Sequence, residues 1–230
     1  MSAARRGIER SGLPIWAMAL VGMACGVALS AEEAKKANRW EKAMQAFEQK
    51  DAKNPPPRGE VVFIGSSSIV GWNLSKYFPD LKTVNRGFGG SAIADSTEFA
   101  DRILIPLEPR IVVFYAGDND IAGGKSPEQV LDDFKAFVKK VHDKLPKTRI
   151  VYIGIKPSLA RWKLVEKMRA ANQLIADFIK TDERLRYVDA DKPMLGEDGK
   201  PKPDLLAKDG LHLSPAGYEL WTSLVLPHLK

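Results

Sequence analysis

Four short blocks of this 230-residue chain hold residue types that can act together on an acyl group. Gly65-Ser66-Ser67-Ser68 offers hydroxyl nucleophiles, and Asp209-Gly210-Leu211-His212 offers a base with a carboxylate three residues before it. Asn85-Arg86-Gly87-Phe88-Gly89-Gly90-Ser91 offers backbone amides bare of side chains, and Gly117-Asp118-Asn119-Asp120 offers a side-chain amide. Acyl transfer needs a nucleophile, a base, a group that orients the base, and donors for the developing oxyanion. A serine of the first block supplies the nucleophile. His212 takes its proton, and Asp209 fixes the imidazole tautomer through Nδ1. The N–H of Gly90, the amide of Asn119 and the serine's own N–H make three oxyanion donors. Taken singly, each block has a plainer meaning: a serine-rich turn caps a helix, and a glycine-rich loop turns the chain or cradles a phosphate. Their order and company favour the acyl reading.

The other candidates fit less well. His142 lies among Lys139, Lys140 and Asp143 on a helix and is expected on its solvated surface. His228 is close to the C-terminus, where rigid holding is not expected. His212 adjoins a helix N-terminus, whose dipole favours the neutral imidazole. Asp118 and Asp120 are expected to organise their own turn rather than to bind a metal, because no further ligands cluster with them. Trp72, Arg86 and Trp162 fall near predicted strand ends and could touch substrate, with packing an equal reading for the tryptophans. Residues 197–203 read as an exposed turn.

The elements that position these blocks alternate. Continuous apolar runs at 61–64, 83–84, 111–115, 150–155 and 187–188 carry the mark of buried parallel strands. Helical patterns fall at 95–104, at 127–145 with Ser126 as N-cap and Pro127 at the first position, at 162–179, and at 215–229 with Ser214 as cap. This is an α/β chain with a parallel sheet between helix layers. Sites in such sheets form at the carboxyl ends of the strands, where the first three blocks lie.

In that setting the four blocks resemble those of the SGNH hydrolases, the GDSL esterase/lipase family, over roughly residues 60–229. The family's first block is usually Gly-Asp-Ser, with the serine as nucleophile. Here it reads Gly65-Ser66-Ser67, so the resemblance puts the nucleophile at Ser67 and Ser66 in the aspartate's place, as in a GSSS branch. The second-block glycine is Gly90 and the third-block asparagine Asn119, while Asp209 and His212 match without departure. The resemblance implies a flavodoxin-like three-layer α/β/α sandwich and a serine esterase with no metal or organic cofactor. The stretches 63–69 and 155–158 are similar to the subgroup related to platelet-activating-factor acetylhydrolase. An ordinary α/β-hydrolase elbow fails at Ile69, where it needs glycine. A Walker loop is absent, and the dinucleotide fingerprint is incomplete. An O-acyltransferase with the same triad and a non-catalytic glycan- or lipid-binding module on the same fold are the alternatives.

Composition sets the outer limits. At 44% hydrophobic and 28% charged, the chain is neither collagenous nor fully disordered, and one cysteine makes no disulfide scaffold. Arg5, Arg6 and Arg10 precede a stretch from Ser11 to Ala31 without charge, so residues 1–30 read as a secretory signal peptide ending at Ala28-Leu29-Ser30. A retained signal anchor is the alternative, and the run is short for a span. Gly22, three residues before Cys25, replaces the leucine of a lipoprotein site. Cleavage would remove Arg5, Arg6, Arg10 and Glu9, which takes the formal charge from +6 to about +4. Residues 31–58 read as an amphipathic helix packed on the main domain, with Trp40, Met44 and Phe47 on one face, and a proline-rich linker. Residues 59–230 form the hydrolase domain. The expectation is an exported enzyme, periplasmic or secreted, acting on a small-molecule, carbohydrate or lipid ester. Stable membrane insertion is not expected after cleavage, and oligomeric state is left open. Basic residues scattered among acids, without an aromatic-interleaved patch, argue against nucleic acid.

Overall fold

A computed structural model describes residues 39–230. The expected signal peptide and the first residues of the 31–58 segment lie outside the described residues. Strands β1 (Val61–Gly65), β2 (Thr83–Gly87), β3 (Ile111–Tyr115), β4 (Arg149–Ile153) and β5 (Leu185–Val188) form one parallel sheet in the order β2-β1-β3-β4-β5. Every residue of β1 and β3 is buried, as central strands covered on both faces must be.

Successive side chains of a strand point to opposite faces, and here both faces are apolar. Val62, Ile64, Val112, Phe114, Ile150 and Tyr152 pack under α1 (Glu41–Lys53), α4 (Ile93–Ile103), α6 (Pro127–Lys144) and α7 (Val165–Ile179). Val61, Phe63, Ile111, Val113 and Tyr115 pack against short helices α2 (Ser67–Val70) and α3 (Leu74–Tyr77) and the last helix, α8 (Pro215–Val225). The result is three layers, α/β/α. A further short helix, α5 (Asp118–Ala122), follows β3. The chain leaves β1 for the edge strand β2, then reverses across the sheet to β3. That reversal opens a crevice between the carboxyl ends of β1 and β3.

Element limits differ from the sequence expectation for identifiable reasons. Helix α4 starts at Ile93 because the Asp95 carboxylate accepts the Ala92 N–H at 2.7 Å and supports an earlier first turn. The expected 162–179 helix opens with a 3₁₀ turn, Trp162–Leu164. The last helix ends at Val225, and a 3₁₀ turn with Pro227 at its second position follows. The α6 cap is as expected, with Ser126 Oγ accepting the Gln129 N–H at 3.3 Å and the Gln129 side chain accepting the Ser126 N–H at 2.9 Å.

Helix α1 packs on the domain. Trp40 and Met44 are buried, and Phe47 is partly so. Arg102 of α4 grips both Glu41 and Glu48, at 2.7 Å each.

Candidate active site

Gly65 closes β1 at φ +134°, where a Cβ would lie 1.9 Å from the Tyr115 carbonyl oxygen. Only glycine fits there. The chain therefore turns sharply, Ser66 N–H donates to that same carbonyl at 2.9 Å, and α2 begins at Ser67. Ser66 and Ser68 are buried, and the Ser66 hydroxyl has no protein partner. Ser67 is partly open, and its Oγ lies 3.1 Å from His212 Nε2. His212 Nδ1 lies 2.6 Å from Asp209 Oδ2. Asp209 Oδ1 accepts the N–H groups of Leu211 at 2.9 Å and His212 at 3.0 Å. The imidazole first, and then these two amides, hold the Asp209 carboxyl well below its ordinary value. An ionised Asp209 keeps the proton on Nδ1, so the lone pair of Nε2 faces Ser67 Oγ. The pairing can move the serine proton.

The loops after β2 and β3 carry Gly90 and Asn119, the residues expected to serve as oxyanion donors. Gly89 comes within 3.9 Å of the Ser67 Cβ, measured from the position its own Cβ would take. Gly90 has φ +75°, and a Cβ there would sit 2.9 Å from Arg39 Nη2. Asn119 Nδ2 donates to the Ser91 carbonyl at 3.0 Å, which ties the β3 loop to the Gly90 loop. A cavity of about 250 Å³ opens beside them, lined by Arg39, Gly90, Ala92, Asn119, Asp120 and Lys125. A larger cavity of about 530 Å³, between α7 and the end of β5, shares no residue with the candidate site.

Several expectations are corrected. His142 is not a solvated surface group: its side chain is 9% exposed, and its Nε2 lies 3.0 Å from the Thr148 carbonyl. Burial lowers its pKa. His228 sits in the final 3₁₀ turn, away from Ser67, and the segment is tied down by Arg110 donating to the Leu229 carbonyl at 3.0 Å. Arg86 does not reach substrate. It is buried, donating to the Ile103 carbonyl at 3.0 Å and to Asp51 of α1 at 2.5 Å. Trp72 is a core residue, in ring contact with Phe63, Phe78, Tyr218 and Trp221. Trp162 lies under Arg169 at 5.7 Å. Asp118 and Asp120 do more than organise their own turn. Asp118 pairs with Arg161 at 2.9 Å. Asp120 accepts the Ile93 N–H at the start of α4 and the Lys125 ammonium at 2.8 Å. Burial raises the Asp120 pKa, against the pull of Lys125.

The stretch 155–158 stood out in the sequence only as a resemblance; what the loop between β4 and α7 holds in place was missed. Lys156, 1% exposed, donates to the Leu211 carbonyl at 2.5 Å. Ala160 N–H donates to the Gly210 carbonyl at 3.0 Å. Both bonds steady the His212 loop. Burial pulls the Lys156 pKa below its ordinary value, and the charges of Asp118 and Asp209 oppose that pull. The signal was a lysine directly after an apolar strand, at the end of the sheet where sites form.

Residues 64–220 match the GDSL-like lipase/acylhydrolase family. The chain belongs to this family. Within it, the chain is 33% identical over 178 residues to the platelet-activating factor acetylhydrolase IB subunit alpha1 of Bos taurus, covering 73% of each. Solved structures share the fold, two of them as follows. A GDSL-like lipase from Bacteroides thetaiotaomicron matches at TM-score 0.70 and 21% identity, over 81% of this chain and 96% of that one. Axe2, an acetylxylan esterase from Geobacillus stearothermophilus, matches at 0.60 and 15%, over 75% and 95%. As a GDSL-like acylhydrolase the chain is a hydrolase, and its five-stranded parallel sheet with helices on both faces is the three-layer fold expected of it.

Proposed function

We propose that this chain is an exported serine esterase that hydrolyses short-chain esters, acetyl esters foremost, through an acyl-enzyme on Ser67. The observation that carries the reading is the relay of Ser67 Oγ, His212 Nε2, His212 Nδ1 and Asp209, at 3.1 and 2.6 Å. His212 takes the Ser67 proton as Oγ attacks the ester carbonyl. The negative charge that develops on the carbonyl oxygen is met by the N–H groups of Ser67 and Gly90 and the amide of Asn119. His212 returns the proton to the alcohol as it leaves. It then deprotonates a water that cleaves the acyl-enzyme.

The bovine relative is named an acetylhydrolase and Axe2 an acetylxylan esterase, which supports acetyl. Export rests on the uncharged run after Arg5, Arg6 and Arg10 and accords with an O-acetylated polysaccharide or a short-chain ester as substrate.

The test is turnover of 4-nitrophenyl acetate, butyrate and longer esters, with fluorophosphonate labelling of the serine. Wild type is expected to prefer the short esters. Ser67→Ala is expected to lose turnover and labelling, whereas Ser66→Ala keeps the label. A label that survives Ser67→Ala and disappears in Ser66→Ala overturns the assignment. N-terminal sequencing of protein from its native host checks export, with a mature start expected near Ala31.

A further inference from the structure

The Asn119 side chain is a planar group with two unlike ends: Oδ1 only accepts hydrogen bonds, and Nδ2 only donates. An oxyanion is stabilised by the Nδ2 end and repelled by the Oδ1 end. The direction of this amide therefore matters as much as its presence.

Two neighbours set that direction. Arg161 Nη2 lies 3.0 Å from Asn119 Oδ1, and Asn119 Nδ2 lies 3.0 Å from the Ser91 carbonyl. A guanidinium has no acceptor and a carbonyl has no donor, so both demand the same orientation. Ser91 takes one of the two Nδ2 protons and leaves the other for the oxyanion. The positive guanidinium on Oδ1 also polarises the amide and strengthens its N–H as a donor.

Arg161 is itself fixed. Its Nη1 donates at 2.9 Å to Asp118 Oδ2, a buried carboxylate, so one planar fork spans two adjacent residues of the β3 loop. The Arg161 side chain is 21% exposed and comes from the β4–α7 loop, the same segment that holds the His212 loop through Lys156 and Ala160.

We infer that Arg161 is a positioning residue that presents the Asn119 amide to the oxyanion, acting through Asn119 and not on the substrate. The inference rests on the reading of Asn119 as an oxyanion donor, and the experiment separates the two.

The measurement is kcat and KM for 4-nitrophenyl acetate in wild type, Arg161→Ala, Arg161→Lys, Asn119→Ala and the two double variants, with Tm as a check on folding. Asn119→Ala is expected to lower kcat by about 10²–10³-fold, as loss of one preorganised donor does. Arg161→Ala is expected to lower kcat about tenfold or more, with KM within about twofold, because a misdirected donor fails in the transition state. In the Asn119→Ala background the same change is expected to matter by less than about twofold, since residues that act as a unit are not additive. Arg161→Lys keeps the charge without the fork and is expected to stay low. If Arg161→Ala does not fold, Arg161→Lys in the two backgrounds carries the same comparison. An equal loss of kcat with and without Asn119 overturns the inference, as does a raised KM at unchanged kcat, which marks a substrate contact. Full activity in Asn119→Ala overturns the oxyanion reading itself.

Discussion

Ser66, Ser67 and Ser68 carry the same hydroxyl into different surroundings, and only that of Ser67 meets an imidazole. The Gly65 turn decides this, because the sharp exit from β1 buries one neighbour on each side. Lys156 poses a different problem of residue chemistry. Its ammonium is buried, which is costly, and is paired with the Leu211 carbonyl rather than directly with a carboxylate. Lys156→Met keeps much of the volume and removes both the buried charge and the bond. The two effects on stability oppose each other, and replacing a buried charge by an apolar side chain is often neutral or favourable. Tm is therefore expected to hold or rise. The kcat for 4-nitrophenyl acetate is expected to fall about tenfold, because the His212 loop loses its anchor and small misplacements of a base are expensive. Thermal unfolding and steady-state kinetics on one preparation check both halves; a lower Tm with unchanged kcat contradicts the argument. Ser67, Gly90, Asn119, Asp209 and His212 stood out in the sequence as candidates because each lies in a short block of suggestive residue types, and the fold brings Ser67, His212 and Asp209 into one hydrogen-bonded row. The roles of Lys156 and Arg161 were not legible there, because their partners lie 55 and 42 residues away; the lysine directly after an apolar strand marked a place but not the partner it meets there, and Arg161 had no local pattern at all.

At the scale of elements, the site depends on how strands end. Gly65 is the tightest such point: φ +134° disfavours any L-residue, and the atom that a Cβ would strike is backbone. That backbone cannot withdraw freely, since the Tyr115 carbonyl also accepts the Ser66 N–H. Gly65→Ala is expected to cost more than about 4 kcal/mol and to appear as loss of soluble protein, or as a large fall in Tm. Ser66→Ala beside it removes a buried hydroxyl without a protein partner and is expected to leave Tm within a few degrees. Comparing soluble yield and Tm of the two variants separates backbone strain from general sensitivity of the turn. The strands themselves were readable where both faces are buried, as in β1 and β3, because continuous apolar runs leave little ambiguity. Strand β2 read short, at 83–84, because Asn85 and Arg86 look like loop residues. Arg86 is instead buried in the strand and neutralised by Asp51 of α1, a pairing made across 35 residues. Helix α1 was legible as amphipathic, but its reach to the site was not. Trp40 meets Phe88 edge-on at 5.5 Å, and Arg39 abuts Gly90, so the start of this helix walls the Gly90 loop.

Across the whole molecule, stability and chemistry draw on opposite ends of the sheet. The candidate site gathers at the carboxyl ends of the strands, whereas His142 on α6 binds the Thr148 carbonyl just before β4 begins. Burial lowers the His142 pKa, with the Arg184 charge adding to the effect, and only the Thr148 carbonyl and Asp182 oppose it. The unfolded chain then binds this proton more readily than the folded one. By linkage, stability is fully present above the ordinary histidine value of about 6.5 and falls as the pH drops below it. His228 is lowered as well, by burial and by Arg186 and Arg149, and contributes with the same sign. A second decline begins below the ordinary aspartate range. Arg184 brings Asp182 down to about 2, so that carboxylate resists protonation in the folded state. Asp120, raised by burial, has the opposite sign and an earlier window: it adds stability as the pH falls toward the ordinary aspartate value, before this second step begins. Urea unfolding at pH 7.5 and pH 5.0 tests the first step. Wild type is expected to lose stability between the two, and His142→Gln is expected to lose less, because glutamine does not gain a proton. Its kcat at pH 7.5 is expected to match wild type, since the substitution lies at the end of the sheet remote from Ser67. A loss of equal size in both proteins would assign the acid sensitivity to groups other than His142.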